Sequence, residues 1–342
     1  MPSYRKATIK DVAEQAKVSK TTVSHYVSGR RGACSSETAE RIQEVIDRLH
    51  YTPSVLTHGL RDGRTDTLGV SGFNLAKLQD DYLQRVWQGL LEGVGSENYA
   101  LLFYPESVRN GLDYRPFLDG RVDGIVVHTR GDNPVPQQVG AAGMPIVLIS
   151  RALNLPPGCG GVAVNEVDTA NLALSYLWDL GHRRIAHIAG PFESEPGLLR
   201  HRNYVEWMTG RNCYDPALVF NEEAWAPKFS EETLRSWLSL PDPPTAAFCA
   251  NDDFGIGILR AAKNLGVRVP EDFSVVGADN FAPSADSDPP LTTVDIPLED
   301  VGRESVHALF RLMGGAPISE CRLVVPVTSL IIRHSAGPNP RI

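Results

Sequence analysis

The sequence predicts a small all-α module, a short hinge helix, and an α/β region of two doubly wound parallel-sheet lobes. Three observations predict this architecture. Residues 8–27 hold two short helical patterns joined by a tight turn. From Asp66 onward, apolar β-rich runs alternate with helical patterns, which is typical of parallel sheets covered on both faces. These runs form two series of similar length, and this indicates two lobes.

The first helix has a clear start and one apolar face. Thr8 is a good N-cap, and Asp11 stands where a capping box places its acceptor. Apolar side chains then recur at i, i+3, i+4 and i+7: Ile9, Val12, Ala13 and Ala16. That spacing predicts an amphipathic helix packed on one side.

The second helix carries a polar outer face. Ser19 can cap it, and Val23 and Val27 keep the inward spacing to its end. Five polar side chains are then left outside: Lys20, Thr21, Thr22, Ser24 and His25. Donors and acceptors at a helix N-terminus suit base edges and phosphates in a DNA major groove. We therefore predict a helix-turn-helix DNA-binding domain over residues 1–52, with a small solvated helical hairpin as the alternative.

Charge separates the two ends of the chain. Residues 1–65 hold 11 Lys and Arg against 7 Asp and Glu, whereas the rest holds 22 against 34, so the net charge of −8 combines +4 with −12. A basic N-terminus suits DNA. The acidic remainder disfavours non-specific binding to nucleic acid and indicates a different role.

Length and composition exclude several classes of protein. A chain of 342 residues can form two or three folded units, each with a core. It has neither a signal-like segment near Met1 nor the ~18 consecutive apolar residues of a membrane helix, so we expect a cytoplasmic protein with no membrane partner. The five cysteines form no C-x-x-C pair, which fits reduced thiols and predicts no metal site.

Residues 53–65 predict a hinge helix and linker. Pro53 suits the first helical position, Leu56 and Leu60 fall at i and i+4, and Gly63 ends the pattern. A helix of fewer than ~12 residues is marginal alone in water, so this one should form only when another surface holds it. A plain linker is the alternative.

Residues 66–342 form the predicted α/β domain. The first series of strands contains TLGVSGF, YALLFY, VDGIVVH and PIVLIS, and the second contains VAVNE, RIAHIAG, TAAFCAN and FSVVGAD. Helical patterns such as 81–97, 167–180 and 253–265 lie between them. Ligands of open α/β sheets bind beyond the carboxyl ends of the strands. The residues that follow each run are therefore the candidate site.

Those positions are polar and mostly neutral. They suit a sugar, a nucleoside or a similar polyol, whose hydroxyls need hydrogen bonds and whose apolar face packs on an aromatic ring. The sequence has no phosphate loop, no G-x-G-x-x-G after a strand, no H-E-x-x-H and no G-x-S-x-G, so we expect neither an enzyme nor a cofactor. The candidate effector-binding residues from strand ends are Phe73, Asn74, His128, Ser150, Arg151, Phe192, Asn251 and Asp279.

The segment TIKDVAEQAKVSKTTVSHYVSG, with the later Tyr51-Thr52-Pro53, resembles the N-terminal module of the LacI/GalR family of bacterial transcription regulators. The resemblance implies that Lys20, Thr21 and His25 read bases, with Thr22 and Ser24 nearer the phosphates. His25 stands where many relatives carry Arg. The predicted DNA contacts are completed by Thr8, Ser19, Tyr51, Ser54, Thr57 and Leu60.

The resemblance also gives the hinge a role. In LacI relatives this helix folds on DNA against its copy in the partner subunit, and the leucine matched by Leu60 wedges into the minor groove. Ser54 replaces the commoner Asn after the proline, and Thr57 and His58 replace a small Ala and a basic residue.

The α/β region carries family signatures as well: LGHRRIAHIAGP, ANDDFGIG, and VRVPEDFSVVGADN followed by PPLTTVDIP. The resemblance implies that Arg200 is the effector-binding arginine and that Asn251 and Asp279 are further polar contacts. Trp225 lies near where some sugar-binding relatives stack an aromatic ring. Two positions depart from the family pattern, since Asn203 replaces a Gly and Val164 replaces the Asp of an Asp-Asn pair.

The resemblance implies a periplasmic-binding-protein-like domain in which the chain crosses between lobes three times. Lobe one would contain residues 66–163 and 293–320, and lobe two residues 164–292 and 321–335. In the helix 297–313, four apolar residues read as core: Val301, Val306, Leu309 and Leu312. The tail RHSAGPNPRI lacks a leucine heptad, so we expect a homodimer.

The sequence therefore predicts a ligand-responsive transcription regulator, most simply a repressor, that binds a pseudo-palindromic operator in double-stranded DNA as a dimer. Its effector would be a sugar or a sugar-like metabolite bound between the lobes. Whether the effector releases DNA or favours its binding stays open. Two other classes stay as alternatives: a periplasmic-type small-molecule-binding protein with no role on DNA, and a sugar-modifying enzyme.

Overall fold

The computed structural model describes residues 7–28, 34–52, 64–73, 80–95, 97–104, 113–128, 133–226 and 231–341. The chain divides into two compact units, Met1–Asp66 and Thr67–Ile342. This division falls one residue from the predicted start of the α/β region. Of the hinge helix and linker predicted at 53–65, residues 53–63 lie outside the described residues.

The N-terminal unit contains three described helices, α1 (Ile9–Gln15), α2 (Lys20–Val27) and α3 (Ser36–Leu49). Apolar side chains from all three form its core, among them the fully buried Val12, Ala16, Val23 and Ile42. The inward spacing read from the sequence is therefore confirmed for α1 and α2.

Side-chain caps start the first two helices. Thr8 Oγ1 accepts a hydrogen bond from the N–H of Asp11 at 3.3 Å, and Asp11 Oδ2 accepts one from the N–H of Thr8 at 2.8 Å. Ser19 Oγ accepts from the N–H of Thr22 at 3.0 Å. Each bond satisfies a backbone donor that a helix N-terminus leaves unpaired, so the predicted capping box and N-cap are confirmed.

The larger unit contains two six-stranded sheets. The strands of the first sheet are β1 (Thr67–Ser71), β2 (Ala100–Tyr104), β3 (Gly124–His128), β4 (Ile146–Ile149), β5 (Cys159–Val164) and β11 (Arg322–Val325). They lie in the order β11-β5-β4-β3-β1-β2, and every pair is parallel. This sheet is the centre of lobe one.

The strands of the second sheet are β6 (Ile185–Ala189), β7 (Val219–Asn221), β8 (Ala246–Cys249), β9 (Ser274–Ala278), β10 (Thr292–Asp295) and β12 (Ser329–Ile331). They lie in the order β12-β10-β9-β8-β6-β7, and β12 alone among these described strands runs antiparallel to its neighbour. This sheet is the centre of lobe two.

Helices connect the strands of each sheet. They are α4 (Asp81–Gly95), α5 (Val135–Ala141), α6 (Glu166–Asp179), α7 (Glu195–Thr209), α8 (Glu231–Leu238), α9 (Asp252–Leu265), α10 (Ala282–Ala285) and α11 (Leu298–Met313). Short 3₁₀ turns at Arg115–Leu118, Pro216–Leu218 and Ile318–Cys321 complete the described elements. The strand-helix alternation predicts the fold class correctly.

The three crossings between lobes fall at or within a few residues of their predicted places. The sequence predicts VAVNE as the first strand of lobe two, whereas β5 pairs with β4 and β11 in the first sheet. Residues 292–295 belong to the second sheet and residues 322–325 to the first. The assignment of VAVNE to lobe two is therefore wrong, although the first predicted boundary, at residues 163 and 164, coincides with the end of β5. The boundaries predicted at 292–293 and 320–321 are displaced by a few residues, because the spacing of strands along the chain stays the same where the chain crosses between lobes.

Helix α11 returns to lobe one and packs against α4. The predicted core positions are buried or half-buried: Val301, Val306, Leu309 and Leu312. The two helices meet closely at Gly89, where an added Cβ would lie 1.9 Å from the carbonyl oxygen of Glu299. The pair therefore depends on a glycine at this contact.

Candidate functional site

A cavity of about 310 Å³ lies between the two lobes, at the carboxyl ends of strands from both sheets. Eight of the ten predicted effector-binding residues line it: His128, Ser150, Arg151, Phe192, Arg200, Trp225, Asn251 and Asp279. Asn74 lies outside the described residues. The rule that ligands bind beyond strand ends thus predicts the location of the cavity.

Phe73 does not line the cavity. Its side chain is only 1% exposed, and its ring stacks against His128, with centroids 5.3 Å apart, and packs at a tilt against Trp87, with centroids 5.5 Å apart. The residue turns into the core of lobe one, because burying a phenyl ring there is more favourable than leaving it at the strand end. Phe73 therefore supports His128, and its side chain is not among those that line the cavity.

Arg200 is the buried cation of the cavity. It extends from α7, is 4% exposed, and donates from Nε to Glu166 Oε2 at 2.6 Å and from Nη2 to Glu166 Oε1 at 3.2 Å. Its Nη1 donates to the carbonyl of Ala250 at 2.5 Å and to Asp279 Oδ1 at 3.4 Å. Although burial disfavours the charge, these carboxylates raise the pKa of Arg200, so the guanidinium stays protonated.

Asp279 sits just beyond β9 with an unusual backbone. Its φ is +119° and that of Asn280 is +57°, both in the region that side-chain-bearing residues rarely adopt. Burial raises the pKa of the Asp279 carboxyl well above its usual range, and the nearby Arg200 opposes this shift. A strained residue that aims a buried carboxyl into a cavity is a frequent feature of binding sites.

Two aromatic side chains flank the polar centre. The Trp225 ring lies parallel to Phe254, with centroids 6.1 Å apart, and the guanidinium carbon of Arg200 is 5.8 Å from its centroid. Phe192 is 41% exposed and packs on His201 at 4.8 Å. These rings offer apolar faces on which a sugar ring can stack.

The lobe-one wall is held by a hydroxyl pair. Tyr82 at the start of α4 and Ser150 after β4 lie 2.6 Å apart, oxygen to oxygen, and both line the cavity with Arg151. Across the cavity, Glu195 on α7 accepts hydrogen bonds from the N–H groups of Ala152 and Leu153 at 2.9 and 3.1 Å. This carboxylate therefore joins lobe two to the loop after β4.

Sequence reasoning missed other residues that line the cavity, among them Tyr82, Glu166 and Glu195. Glu166 is 4% exposed and is the last residue of the VAVNE run. An acidic residue in the first turn of a helix is usually explained by its interaction with the helix dipole. Nothing in the neighbouring sequence therefore indicates that Glu166 forms an ion pair with Arg200. Tyr82 and Glu195 lie at the starts of α4 and α7 and do not directly follow a strand.

Two polar residues at strand ends serve first as helix caps. Asn251 Oδ1 accepts from the N–H of Phe254 at 2.9 Å and so caps α9, while its amide faces the carbonyl of Trp225 at 3.4 Å. Asn165 Oδ1 caps α6 through the N–H of Val167 at 3.2 Å. Asn251 also lines the cavity, so capping and lining occur together.

In the N-terminal unit, the predicted DNA-reading face is partly packed. Lys20 and Thr21 are exposed, whereas Thr22, Ser24 and His25 are half-buried. Thr8 and Ser19 are exposed caps, and Tyr51 packs half-buried against the core. Ser54, Thr57 and Leu60 lie outside the described residues.

The described part of the chain holds no group of three or more His, Cys, Asp or Glu side chains placed to bind a metal ion. Among the same residues, no helix is both long and apolar enough to span a membrane.

A helix-turn-helix module joined to a two-lobed binding domain defines a class of protein, the bacterial transcription regulators that carry a small-molecule-binding domain. The model for "Bacterial regulatory proteins, lacI family" matches residues 8–54, and that for "Periplasmic binding protein-like domain" matches residues 174–336. The HTH-type transcriptional regulator CelR of Thermobifida fusca is 32% identical over 346 residues, which cover 98% of this chain and 100% of CelR. The chain therefore belongs to the LacI family of transcription regulators, which are not enzymes.

Other relatives agree with this assignment. The HTH-type transcriptional repressor CytR of Escherichia coli (strain K12) is 29% identical over 342 residues, with 93% of this chain and 95% of CytR covered. The lac repressor dimer bound to operator and the anti-inducer ONPF matches with a TM-score of 0.83 at 25% identity, covering 97% of this chain and 100% of that one. A CelR–cellobiose complex matches with a TM-score of 0.70 at 27% identity, covering 96% and 100%.

Proposed function

We propose that this regulator binds a pseudo-palindromic operator as a homodimer in the cytoplasm, and that an uncharged saccharide in the interlobe cavity controls its affinity for DNA. The observation that carries the proposal is the cavity itself, in which Arg200 and Asp279 meet two accessible aromatic rings. Its volume of about 310 Å³ is at the lower end of the range of small-molecule sites. The cellobiose complex of the relative CelR supports a saccharide.

The charge of the cavity favours a neutral ligand. Three basic side chains line it, Arg151, Arg200 and Arg202, against six acidic ones: Asp80, Glu166, Glu193, Glu195, Asp253 and Asp279. Because the carboxylate of Glu166 already neutralises the buried Arg200, little positive potential is left for a phosphate or a carboxylate. Hydroxyl groups, by contrast, can donate to the carboxylates and accept from the remaining N–H groups.

We assign DNA reading to α2, whose Lys20 and Thr21 are exposed, and to the hinge. Lys20, Thr21 and His25 would contact bases, and Thr22 and Ser24 phosphates, with the hinge helices of two subunits adding Leu60 at the operator centre. Ligand-dependent movement of the lobes would change how the two hinges pair. The linkage is reciprocal, so a ligand that weakens operator binding is itself bound more weakly by the DNA complex.

A thermal-shift comparison tests the effector class. Full-length protein is melted with cellobiose, glucose, cytidine or glucose 6-phosphate, and a ligand that binds only the native state raises the midpoint by mass action. We expect stabilisation by a neutral saccharide and none by glucose 6-phosphate. Stabilisation by the phosphate alone would contradict the charge argument.

Selection from random duplexes tests the DNA half. Full-length protein should recover sequences with two inverted half-sites, and their affinity should fall steeply with salt concentration. Recovery of single, asymmetric sites would contradict the dimeric operator complex.

A further inference from the structure

Arg85 on α4 contacts both lobes. Its Nε and Nη2 donate to the carboxylate of Glu299 on α11 at 2.7 and 2.8 Å. Its Nη1 donates to the backbone carbonyl of Asp279 at 2.6 Å, and Nη2 also donates to that of Ile296 at 2.8 Å. Glu299 belongs to lobe one, whereas Asp279 and Ile296 directly follow β9 and β10 of lobe two. One guanidinium thus fixes two strand ends of lobe two against two helices of lobe one.

Asp279 faces the cavity and Arg85 at the same time. Its carboxylate is 3.4 Å from Arg200 inside the cavity, while its carbonyl oxygen accepts from Arg85 behind the cavity wall. The left-handed backbone at Asp279 and Asn280 is unfavourable for residues with side chains, so it persists only where neighbours hold it. Charge-assisted bonds to a carbonyl are among the stronger restraints available.

A second arginine shows that α4 and α11 can be joined without reaching lobe two. Arg303 on α11 donates from Nη2 to Glu92 on α4 at 2.9 Å and pairs with Asp300 on its own helix. All three residues belong to lobe one. The contacts of Arg85 with Asp279 and Ile296 are therefore additional to the pairing of these helices.

We propose that Arg85 is a positioning residue, which holds the Asp279–Asn280 turn in its binding geometry and couples that turn to α4 and α11. The coupling of the turn to lobe one follows from the contacts of Arg85 alone. Its consequence for the effector rests on the proposed function of the cavity. A ligand that binds the Asp279 carboxylate and displaces the turn would then also displace the Arg85 guanidinium and, through it, the helices of lobe one.

Hydrogen exchange tests the positioning role without any ligand. The N–H groups of Asp279, Asn280 and Phe281 donate to Val294 O, Thr293 Oγ1 and Asp252 Oδ2 at 2.9, 3.3 and 2.8 Å, respectively. In full-length Arg85→Gln we expect these amides to exchange about tenfold faster than in the wild type, because the turn opens locally more often. The matched control, Arg303→Gln, should leave their exchange unchanged.

Arg85→Lys keeps the charge but not the planar fork, so it should give an intermediate exchange rate, and it replaces Arg85→Gln if that variant does not fold. Equal exchange in the wild type and in the Arg85 variant would overturn the proposal. So would equally accelerated exchange in Arg303→Gln, because it would show general loosening of the α4–α11 pair.

Calorimetry with cellobiose then tests the link to the effector. We expect Arg85→Gln to weaken cellobiose binding by about fivefold, because the Asp279–Asn280 turn is then no longer held in its binding geometry and must be ordered on binding, and Arg303→Gln to leave it unchanged. Unchanged cellobiose affinity in Arg85→Gln would overturn the role at the effector site. Accelerated exchange in Arg85→Gln, together with no cellobiose binding by the wild type, would contradict the proposed saccharide while supporting the role of Arg85.

Discussion

Arg200 and Glu166 form a two-point ion pair inside the cavity, with Nε–Oε2 at 2.6 Å and Nη2–Oε1 at 3.2 Å and with each residue 4% exposed. The pair joins the first turn of α6 to the middle of α7. The charge of Arg200 is therefore balanced by Glu166 before any ligand binds, and a ligand contacts a polar surface with little excess positive charge.

Removing the charge of Glu166 should destabilise the protein. Glu166→Gln leaves the buried guanidinium with one neutral acceptor in place of a carboxylate, so we expect the free energy of unfolding to fall by about 3 kcal/mol in urea titration. The matched control is Glu206→Gln, which breaks the exposed Arg202–Glu206 pair at 3.6 Å and should change stability by less than about 0.5 kcal/mol. Equal losses in the two variants would contradict the importance of the buried pair.

Sequence patterns predicted what depends on local rules. The capping box at Thr8 and the placement of Asn251 and Asp279 at the cavity follow from short-range signals and from the strand-end rule. The pairing of Arg200 with Glu166 could not be predicted from the sequence, because only the packing of two helices brings these residues together. The burial of Phe73 could not be predicted for a similar reason, since tertiary packing decides whether a residue at a strand end turns to the core or to the cavity.

The same limit explains the lobe boundaries. A strand such as β5 has the same apolar pattern in either lobe, and only its pairing with β4 and β11 assigns it to the first sheet. Parallel strands buried on both faces carry no signal for which sheet they join.

Asp252 should make stability depend on pH. Burial raises the pKa of its carboxyl to about 7, despite hydrogen bonds from Thr293 and from the N–H of Phe281. Because the folded pKa exceeds the unfolded one, protonation stabilises the fold fully below the unfolded pKa of about 4, and this contribution is lost as pH rises to about 7. We expect the unfolding free energy of the wild type to fall over this window by up to about 4 kcal/mol relative to Asp252→Asn. Parallel pH profiles for the two proteins would exclude a raised pKa.

Gly89 should be intolerant of any side chain. A Cβ there would lie 1.9 Å from the carbonyl oxygen of Glu299, so Gly89→Ala must separate α4 from α11, and we expect a loss of about 3 kcal/mol in urea titration. Gly95 ends the same helix with nothing within 4 Å of an added Cβ, and Gly95→Ala should be neutral or slightly stabilising. A tolerated Gly89→Ala would show that the two helices can shift apart without cost.

His25 should contribute to the choice of operator. On duplexes recovered by selection and their single-base variants, His25→Ala should lose affinity mainly for the preferred sequence, by about 1 to 3 kcal/mol, and so reduce discrimination at one base pair. Lys10→Ala serves as the control, because Lys10 lies on α1 in an exposed pair with Glu14. A uniform loss on every duplex would assign His25 to phosphate contact or to folding.

Trp225 should contribute to ligand affinity through its ring face. Its indole packs against Gly190, where an added Cβ would lie 2.6 Å from the ring, so the ring is held in one position beside Arg200. We expect Trp225→Ala to weaken cellobiose binding about tenfold in calorimetry, because a stacked aromatic contact is lost. Trp225→Phe keeps an aromatic face and should retain most of the affinity, and both variants should bind operator normally without ligand. If cellobiose binds Trp225→Ala as tightly as the wild type, the saccharide lies elsewhere in the cavity and Phe192 becomes the aromatic contact to test next.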